Sequence, residues 1–390
     1  MSTTKTVIEF DHHSQEFKAT RDETLRGLRE TTPIAWTNAH GGYWFITSYA
    51  LITEVLRNSA VFRSERLPDG GGGITIPENK FKPSVLPGEL DGIAHDRFRQ
   101  ALNPFFAKPK VTELTEAIEK IMDDLLDALV DRDRFDAVSE LAQALTVRAA
   151  LRYVGIDTDD AWSFFEDCTH VREQPTSDEA AAVIARIKAF VDAKRGEEPK
   201  DVLGFLLAGP EPFTDDEFVG IVIGLVLGAV RTTADTLVHG LDVFDQDREL
   251  RARLIAEPEA TTAAVEEVLR THSPTLGLAR TAMADAVVGG QQIRQGDRLL
   301  MAYHSGNLDD ANFPNAATID LERKRSPHLT FGRGSHFCLG NWLARLELRI
   351  AFQKILERMP DYTVDRAAGE YTETVGLRNA WEKLPLVPRP

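Results

Sequence analysis

The sequence predicts a mainly α fold with a small β region, and three observations carry that prediction. Apolar residues recur at steps of three and four through much of the chain. Strand-like runs bounded by glycine are few and short. One apolar stretch near the middle is long enough for a helix that crosses a whole domain. In chain order, residues 23–30 and 49–58 read as helices on either side of a first strand at 43–47. Residues 111–131 place Leu114, Ile118, Ile121, Leu125 and Leu129 on one helical face, with Glu113, Glu119, Lys120 and Asp123 between them. Helices are expected again at 138–154, 180–195 and 341–358. Strands are expected at 286–288, before Gly289-Gly290, and at 298–303, after Gly296-Asp297. The Gly70 to Gly73 run lacks the strand, lysine and helix start of a phosphate loop, so it reads as a mobile surface loop.

No long linker, repeat or shift of composition divides the 390 residues, so a single domain over 1–390 is expected. Hydrophobic (43%) and charged (27%) fractions exclude collagenous, low-complexity and disordered classes. Lys+Arg 45 against Asp+Glu 61 gives a net charge of −16, which argues against nucleic acid or an anionic membrane as the main partner. Two cysteines, Cys168 and Cys338, cannot build a disulfide framework and suit a reducing compartment. The first 17 residues carry no apolar leader, and the longest apolar run, 218–230, falls short of the ~20 residues of a membrane span. The expectation is a cytoplasmic protein.

The central helix carries the first functional hint. Thr214 and Glu217 form a capping box, after which the chain is apolar on all sides to Val230 and helical to about Val243. Gly220, Gly224 and Gly228 fall at every fourth residue, leaving one stripe without side chains. Such a stripe either packs closely against another element or admits something flat. Thr232 lies about 40° to one side of Gly228 and Arg231 about 60° to the other, at ~100° per residue. The cation needs a partner, which is Asp235 one turn on or an anionic ligand.

Near the C-terminus runs Phe331-Gly-Arg-Gly-Ser-His-Phe-Cys338-Leu-Gly340, just before the helix expected at 341–358. A cysteine in a glycine-rich loop at a helix N-terminus has its thiolate favoured by free N–H groups and the helix dipole. Three uses stay open: a structural cysteine, a nucleophile, and an axial thiolate to a metal. His336 is too near in sequence to be assumed the base of a nucleophile. Zinc lacks further ligands at the right spacing. A dinucleotide fingerprint fails because Phe337 stands where the third glycine belongs.

With this loop the chain resembles the cytochrome P450 family of haem-thiolate monooxygenases over nearly its whole length. Phe331, Gly334, Cys338 and Gly340, with His336, match the family's haem-binding signature. Glu267-Val-Leu-Arg270 matches its Glu-x-x-Arg, and Arg323 looks like the arginine completing that buried charge cluster. His95 and Arg99 resemble the His-xxx-Arg of the C helix, and Arg280 and His328 fall where the family keeps cations for the haem propionates. The resemblance implies a cytochrome P450 fold, in which a long distal helix, the cysteine loop and a proximal helix enclose haem b (heme b, iron protoporphyrin IX). Cys338 would be the iron ligand, with His95, Arg99, Arg280, His328 and His336 available to two buried carboxylates. Gly228 and Ala229 would lie at the distal haem face beside Thr232 and Thr233.

The family's distal helix usually reads small-Gly-x-acid-Thr, the acid and alcohol relaying protons during oxygen activation. Here Arg231 replaces the acid, and an arginine exchanges no proton near neutrality. Two enzyme readings follow. In one, Arg231 is structural or gating, and a small or medium, largely apolar organic substrate is hydroxylated with O2 and electrons from a ferredoxin and its reductase. In the other, Arg231 anchors a substrate carboxylate in a peroxide-using, peroxygenase-like enzyme. A haem protein that binds a ligand without turnover is the third reading. By resemblance, the substrate pocket draws on residues 67–88, 275–278 and 375–377, where Ile74, Ile76, Leu276, Leu278, Val375 and Leu377 make it apolar. Arg97, Lys108, Lys110, Arg345 and Arg349 are the expected basic face for an acidic iron-sulfur partner. A monomer is expected.

Overall fold

Threonine 214 opens the longest element of the protein. Its hydroxyl accepts from the Glu217 N–H at 3.2 Å while the Glu217 carboxylate accepts from the Thr214 N–H at 2.8 Å, the reciprocal capping box. The helix that follows, Asp215–Gln246, runs 32 residues. By length and composition it could cross a membrane, but 61% of its most apolar window is buried inside the fold. The structure, a computed structural model, describes residues 5–67, 70–78, 84–156, 160–174, 176–324, 327–372 and 376–389. Helices dominate these residues, and the strands form small sheets.

The chain divides into two compact units. The first comprises Met1–Asn79, Val238–Cys338 and Gly369–Glu382. Its five-stranded sheet runs in the order Ile34–Thr37, Tyr43–Ile46, Arg298–Met301, Leu278–Ala282, Phe62–Arg63. Only the Tyr43–Ile46 and Arg298–Met301 pair is parallel, with Trp44 opposite Leu299. Successive residues of a strand point to opposite faces. Trp44 and Ile46 therefore join Ile52, Leu299 and Met301 in one buried cluster, while Tyr43 and Phe45 join Phe17, Leu276 and Leu300 in another. With both faces covered, the strand reads as a continuous apolar run instead of an alternation.

The second unit comprises Lys80–Leu237, Leu339–Ala368 and Lys383–Pro390. It holds most of the central helix together with helices Gly92–Phe106, Thr115–Leu129, Ala144–Val154, Ala161–Glu173, Asp178–Ala193 and Asn341–Arg358. The last of these has the bounds expected from periodicity. Residues 111–131 are not one helix: Lys108–Thr112 ends in i→i+3 bonds, from the Glu113 N–H to Lys110 and from the Leu114 N–H to Val111, which tighten the chain before Thr115–Leu129 begins. The helix expected at 138–154 starts as a π-helical stretch, Ala137–Gln143, capped by the Asp136 carboxylate. It stops at Gly155, whose φ of 96° is left-handed.

The Gly70 to Gly73 run is a turn in which Arg66 bridges Gly72. Its N–H groups go to Leu67, Glu65 and the Glu78 carboxylate, so they do not converge as a phosphate cradle would.

Candidate functional site

Gly332 and Gly334 hold φ of 68° and 71°, which lets the chain after Leu329 fold back on itself. The Cys338 N–H closes this loop on the Phe331 carbonyl at 2.8 Å. Gly334 is doubly constrained, because a Cβ there would stand 2.3 Å from the Leu56 carbonyl oxygen. Phe331 is buried, with its ring 5.5 Å from that of His328, while Cys338 and His336 are half-buried. The other cysteine differs sharply. Cys168 is fully buried, and burial pushes its thiol up to about 12, as suits an inert packing residue. Of the two cysteines, Cys338 alone is accessible.

The same unit carries the charge cluster read from the sequence. Arg270 grips Glu267 through two parallel bonds of 2.8 and 2.7 Å, and Arg323 adds a third at 3.0 Å. Burial alone would raise the Glu267 carboxyl. Hydrogen bonds from Arg270, the Asp320 N–H and Arg323 outweigh it and hold the group below the usual carboxylate range. Arg270 also reaches the Asn307 carbonyl at 3.1 Å. The Asn307 side chain accepts from the Leu329 N–H at 2.5 Å and donates to the Thr330 hydroxyl at 2.9 Å. Asn307 thus couples the cluster to the residues that lead into the cysteine loop. Nothing in its local sequence marks it, because the connection exists only in three dimensions.

Arg280 and His328, expected near the propionates, are both buried in this unit. Arg280 donates to the Ala279 carbonyl at 2.7 Å and meets the Tyr303 hydroxyl; among the described residues it has no carboxylate partner. A buried guanidinium served by a carbonyl and a phenol has donors to spare for an anion, and a haem propionate fits that need. His328 Nε2 lies 3.5 Å from a Glu266 carboxylate oxygen.

In the second unit, His95 and Arg99 are one turn apart on helix Gly92–Phe106. His95 is buried, with Nδ1 3.2 Å from Asp96, and Arg99 is half-buried. Gly340 caps helix Asn341–Arg358, its carbonyl accepting from the Ala344 N–H at 3.0 Å.

The glycine stripe of the central helix is two things. Cβ atoms on Gly220 and Gly224 would meet Leu86 at 2.7 and 2.3 Å, so these two glycines exist for close packing. A Cβ on Gly228 would meet nothing within 4 Å. Leu225, Ala229 and Thr232 are half-buried beside an exposed Gly228, whereas Val226 and Val230 are fully buried. Residues 225, 228, 229 and 232 form one face at helical spacing. The helix expected to be buried from every direction therefore leaves one face partly uncovered at its middle, with no side chain at Gly228. The Thr232 hydroxyl donates to the Gly228 carbonyl at 2.8 Å. Arg231 is half-buried, its guanidinium 5.4 Å from the Phe165 ring centroid, while Thr233 and Asp235 turn into the protein.

Of the residues expected in a pocket, Ile76 and Leu276 belong to the apolar core of the first unit, and Ile74, Leu278 and Leu377 are half-buried. Backbone bonds bring three of these segments together: Leu276 N–H to Leu377 at 3.0 Å, and Ala279 N–H to Ile74 at 2.8 Å. Val375 lies outside the described residues. In the expected basic face, Arg97 is bound by Glu211 at 2.5 Å and Glu217 at 2.6 Å, and Lys110 by Glu113 at 2.6 Å. Lys108 and Arg345 stand 5.2 and 5.4 Å from the ring of Trp342, which sequence reasoning overlooked.

A family model described as Cytochrome P450 matches residues 162–360. A steroid C26-monooxygenase of Mycolicibacterium smegmatis is 28% identical over 379 residues, covering 94% of this chain and 92% of its own. One of Mycobacterium tuberculosis is 30% identical over 321 residues, covering 77% and 85%. Among solved structures, P450BioI in complex with an acyl carrier protein ligated by hexadec-9Z-enoic acid has a TM-score of 0.87 at 25% identity, over 96% of this chain and all of that one.

Proposed function

The chain belongs to the cytochrome P450 family, as an oxidoreductase and monooxygenase that binds haem b, and from that premise we propose that it hydroxylates a small or medium, largely apolar organic substrate. Electrons would come from a ferredoxin and its reductase, and the enzyme would work as a cytoplasmic monomer whose residues 1–390 form one catalytic domain. Turnover by the related monooxygenases favours this over ligand binding without reaction.

We assign the iron ligand to Cys338, on the observation that it is the accessible cysteine of the chain and is carried by the loop that Gly332, Gly334 and Phe331 shape. Bound there, haem supplies oxygen activation, which a thiolate ligand favours by donating electron density. Arg280, His328, His95, Arg99 and His336 are assigned to the two propionates, which must keep charge-assisted hydrogen bonds once removed from water. Phe331 and Gly340 shape the thiolate side. Gly228 and Ala229, on the uncovered helix face, would leave room for the haem ring. Thr232 holds a hydroxyl at that face, and its bond to the Gly228 carbonyl fixes where the oxygen points. Thr233, the next residue, is buried and is assigned with it. The test is the absorption spectrum of reduced, carbon monoxide-bound protein: Cys338→Ser should abolish the thiolate-ligated form, and its retention would overturn the assignment.

Arg231 supports a second reading, because it is a half-buried cation one residue from Thr232 on the same helix. A carboxylate substrate gripped there would make the enzyme peroxygenase-like. Titrating the haem spectrum with medium-chain or aromatic acids and their methyl esters separates the two. Acids binding in preference to esters, with the preference lost in Arg231→Leu, would establish the anchor. Esters binding equally well would leave Arg231 structural or gating.

A further inference from the structure

Three histidines from two segments of the first unit meet at a place the haem chemistry does not use. His12 and His13 stand just ahead of helix Gln15–Thr31, and His40 lies in the short turn Ala39–Gly41. Ring centroids are 4.2 Å apart for His12 and His13, 5.5 Å for His12 and His40, and 5.3 Å for His13 and His40. One nitrogen from each ring lies within 4.8 Å of the other two. Two oxygens face ring nitrogens of the group. The Ile76 carbonyl accepts from His12 Nε2 at 2.9 Å and His13 Nε2 at 3.0 Å, and Asp11 Oδ1 lies 2.8 Å from His40 Nε2. A carbonyl only accepts, so His12 and His13 here carry their protons on Nε2.

We propose that His12, His13 and His40, with oxygen from Asp11 or the Ile76 carbonyl, form a binding site for a divalent transition ion of the zinc or nickel class. Three imidazoles with one or two oxygens are the donor set such borderline ions prefer, and magnesium or calcium would reject it. The oxygens already stand at the spacing needed, and the nitrogens, within 4.8 Å of one another, lie wider than it. Adjacent ligands at ~2.0–2.1 Å from a tetrahedral ion stand roughly 3.3 Å apart, little more than these nitrogen–oxygen contacts. Drawing the three nitrogens together calls for an inward swing of the most exposed ring, that of His40.

Two further features prepare the site. His12 Nδ1 lies 2.6 Å from the Tyr43 hydroxyl. When Nε2 binds an ion the proton moves to Nδ1, and the Tyr43 oxygen accepts it, which is the outer partner a ligating histidine requires. His40, a residue with a side chain, holds the left-handed φ of 50° that brings its ring to the group.

Haem-loaded, chelator-washed protein titrated with zinc chloride, and separately with magnesium chloride, tests the site by calorimetry and by elemental zinc counted apart from iron. The wild type should take up one zinc per chain with a raised unfolding temperature and should ignore magnesium. His40→Ala, which changes an exposed turn, and His13→Gln should each weaken zinc binding at least tenfold while leaving the haem spectrum intact. No stoichiometric uptake by the wild type, or equal uptake by both variants, overturns the proposal.

Discussion

Gly224 presses against Leu86 so closely that a Cβ would stand 2.3 Å from the Leu86 carbonyl oxygen, whereas one turn on, Gly228 has no neighbour within 4 Å of the same position. Two glycines of one motif therefore answer oppositely to the same substitution. Gly224→Ala should lower the stability of the haem-free protein by about 1–3 kcal/mol, because backbone cannot step aside as a flexible side chain can. Gly228→Ala should leave it equal or more stable by up to ~1 kcal/mol, the gain in helix propensity. Urea unfolding of the two variants checks this, and equal losses would refute the division of the stripe.

That division shows what the sequence could and could not reveal. Spacing located the stripe but not what faced it, since Leu86 reaches the helix from far along the chain. The capping box at Thr214 and the bounds of Asn341–Arg358 were legible because their signals lie within one or two turns. Glu267, Arg270 and Arg323 were legible only through resemblance, an isolated Glu-x-x-Arg being usually a surface pair. Asn307, Trp342 and the meeting of His12, His13 and His40 left no periodic trace. Each depends on segments that folding brings together, so no local pattern could announce them.

Removing the carboxylate of Glu267 strands two guanidinium groups, Arg270 fully buried and Arg323 nearly so. Breaking a buried ion pair from one side costs about 3–5 kcal/mol, and Glu267→Ala should lose that much or fail to fold. Glu267→Gln, similar in shape, keeps one acceptor oxygen and gives a milder loss. Its pH profile is the sharper readout. A depressed carboxyl pKa contributes stability above the unfolded value, near 4.5, and loses it as pH falls through the folded value. In Glu267→Gln that part of the acid limb should disappear.

His239 predicts a loss of stability on acidification that begins well above the usual carboxylate range. Its Nε2 lies 2.8 Å from the Asn379 carbonyl, so the ring is the neutral Nε2–H tautomer. Burial pushes its pKa down to about 4, and nearby Arg21 and His304 add to the effect. A histidine that stays neutral when folded costs nothing above the unfolded value of 6.5. Below it the unfolded chain takes up a proton that the folded chain refuses, so stability falls from about pH 6.5 until the folded value is reached. The full effect is on the order of 3 kcal/mol. Unfolding midpoints measured from pH 7 to pH 5 should drop, and less steeply in His239→Gln; parallel profiles would assign the acid loss elsewhere.

Trp342 is the remaining residue whose surroundings demand a use. It is 38% exposed, a large aromatic at the surface, with Lys108 and Arg345 both close to its ring. Arg97 and Lys110 are already matched by Glu211, Glu217 and Glu113, and Arg349 donates to the Gln353 side chain at 3.0 Å, so the basic face expected from the sequence centres on this one aromatic and its two cations. Aromatic and arginine side chains dominate binding energy where they are desolvated at the centre of an interface. Trp342→Ala should therefore weaken docking of an acidic ferredoxin about tenfold or more, seen as slower reduction at limiting partner. Lys108→Ala should chiefly lower the association rate and reduce its dependence on salt. Arg97→Ala should leave reduction almost unchanged and instead cost stability, since its partners lie within the chain. If reduction is indifferent to both salt and Trp342, electrons enter elsewhere and the three side chains are a surface cluster alone.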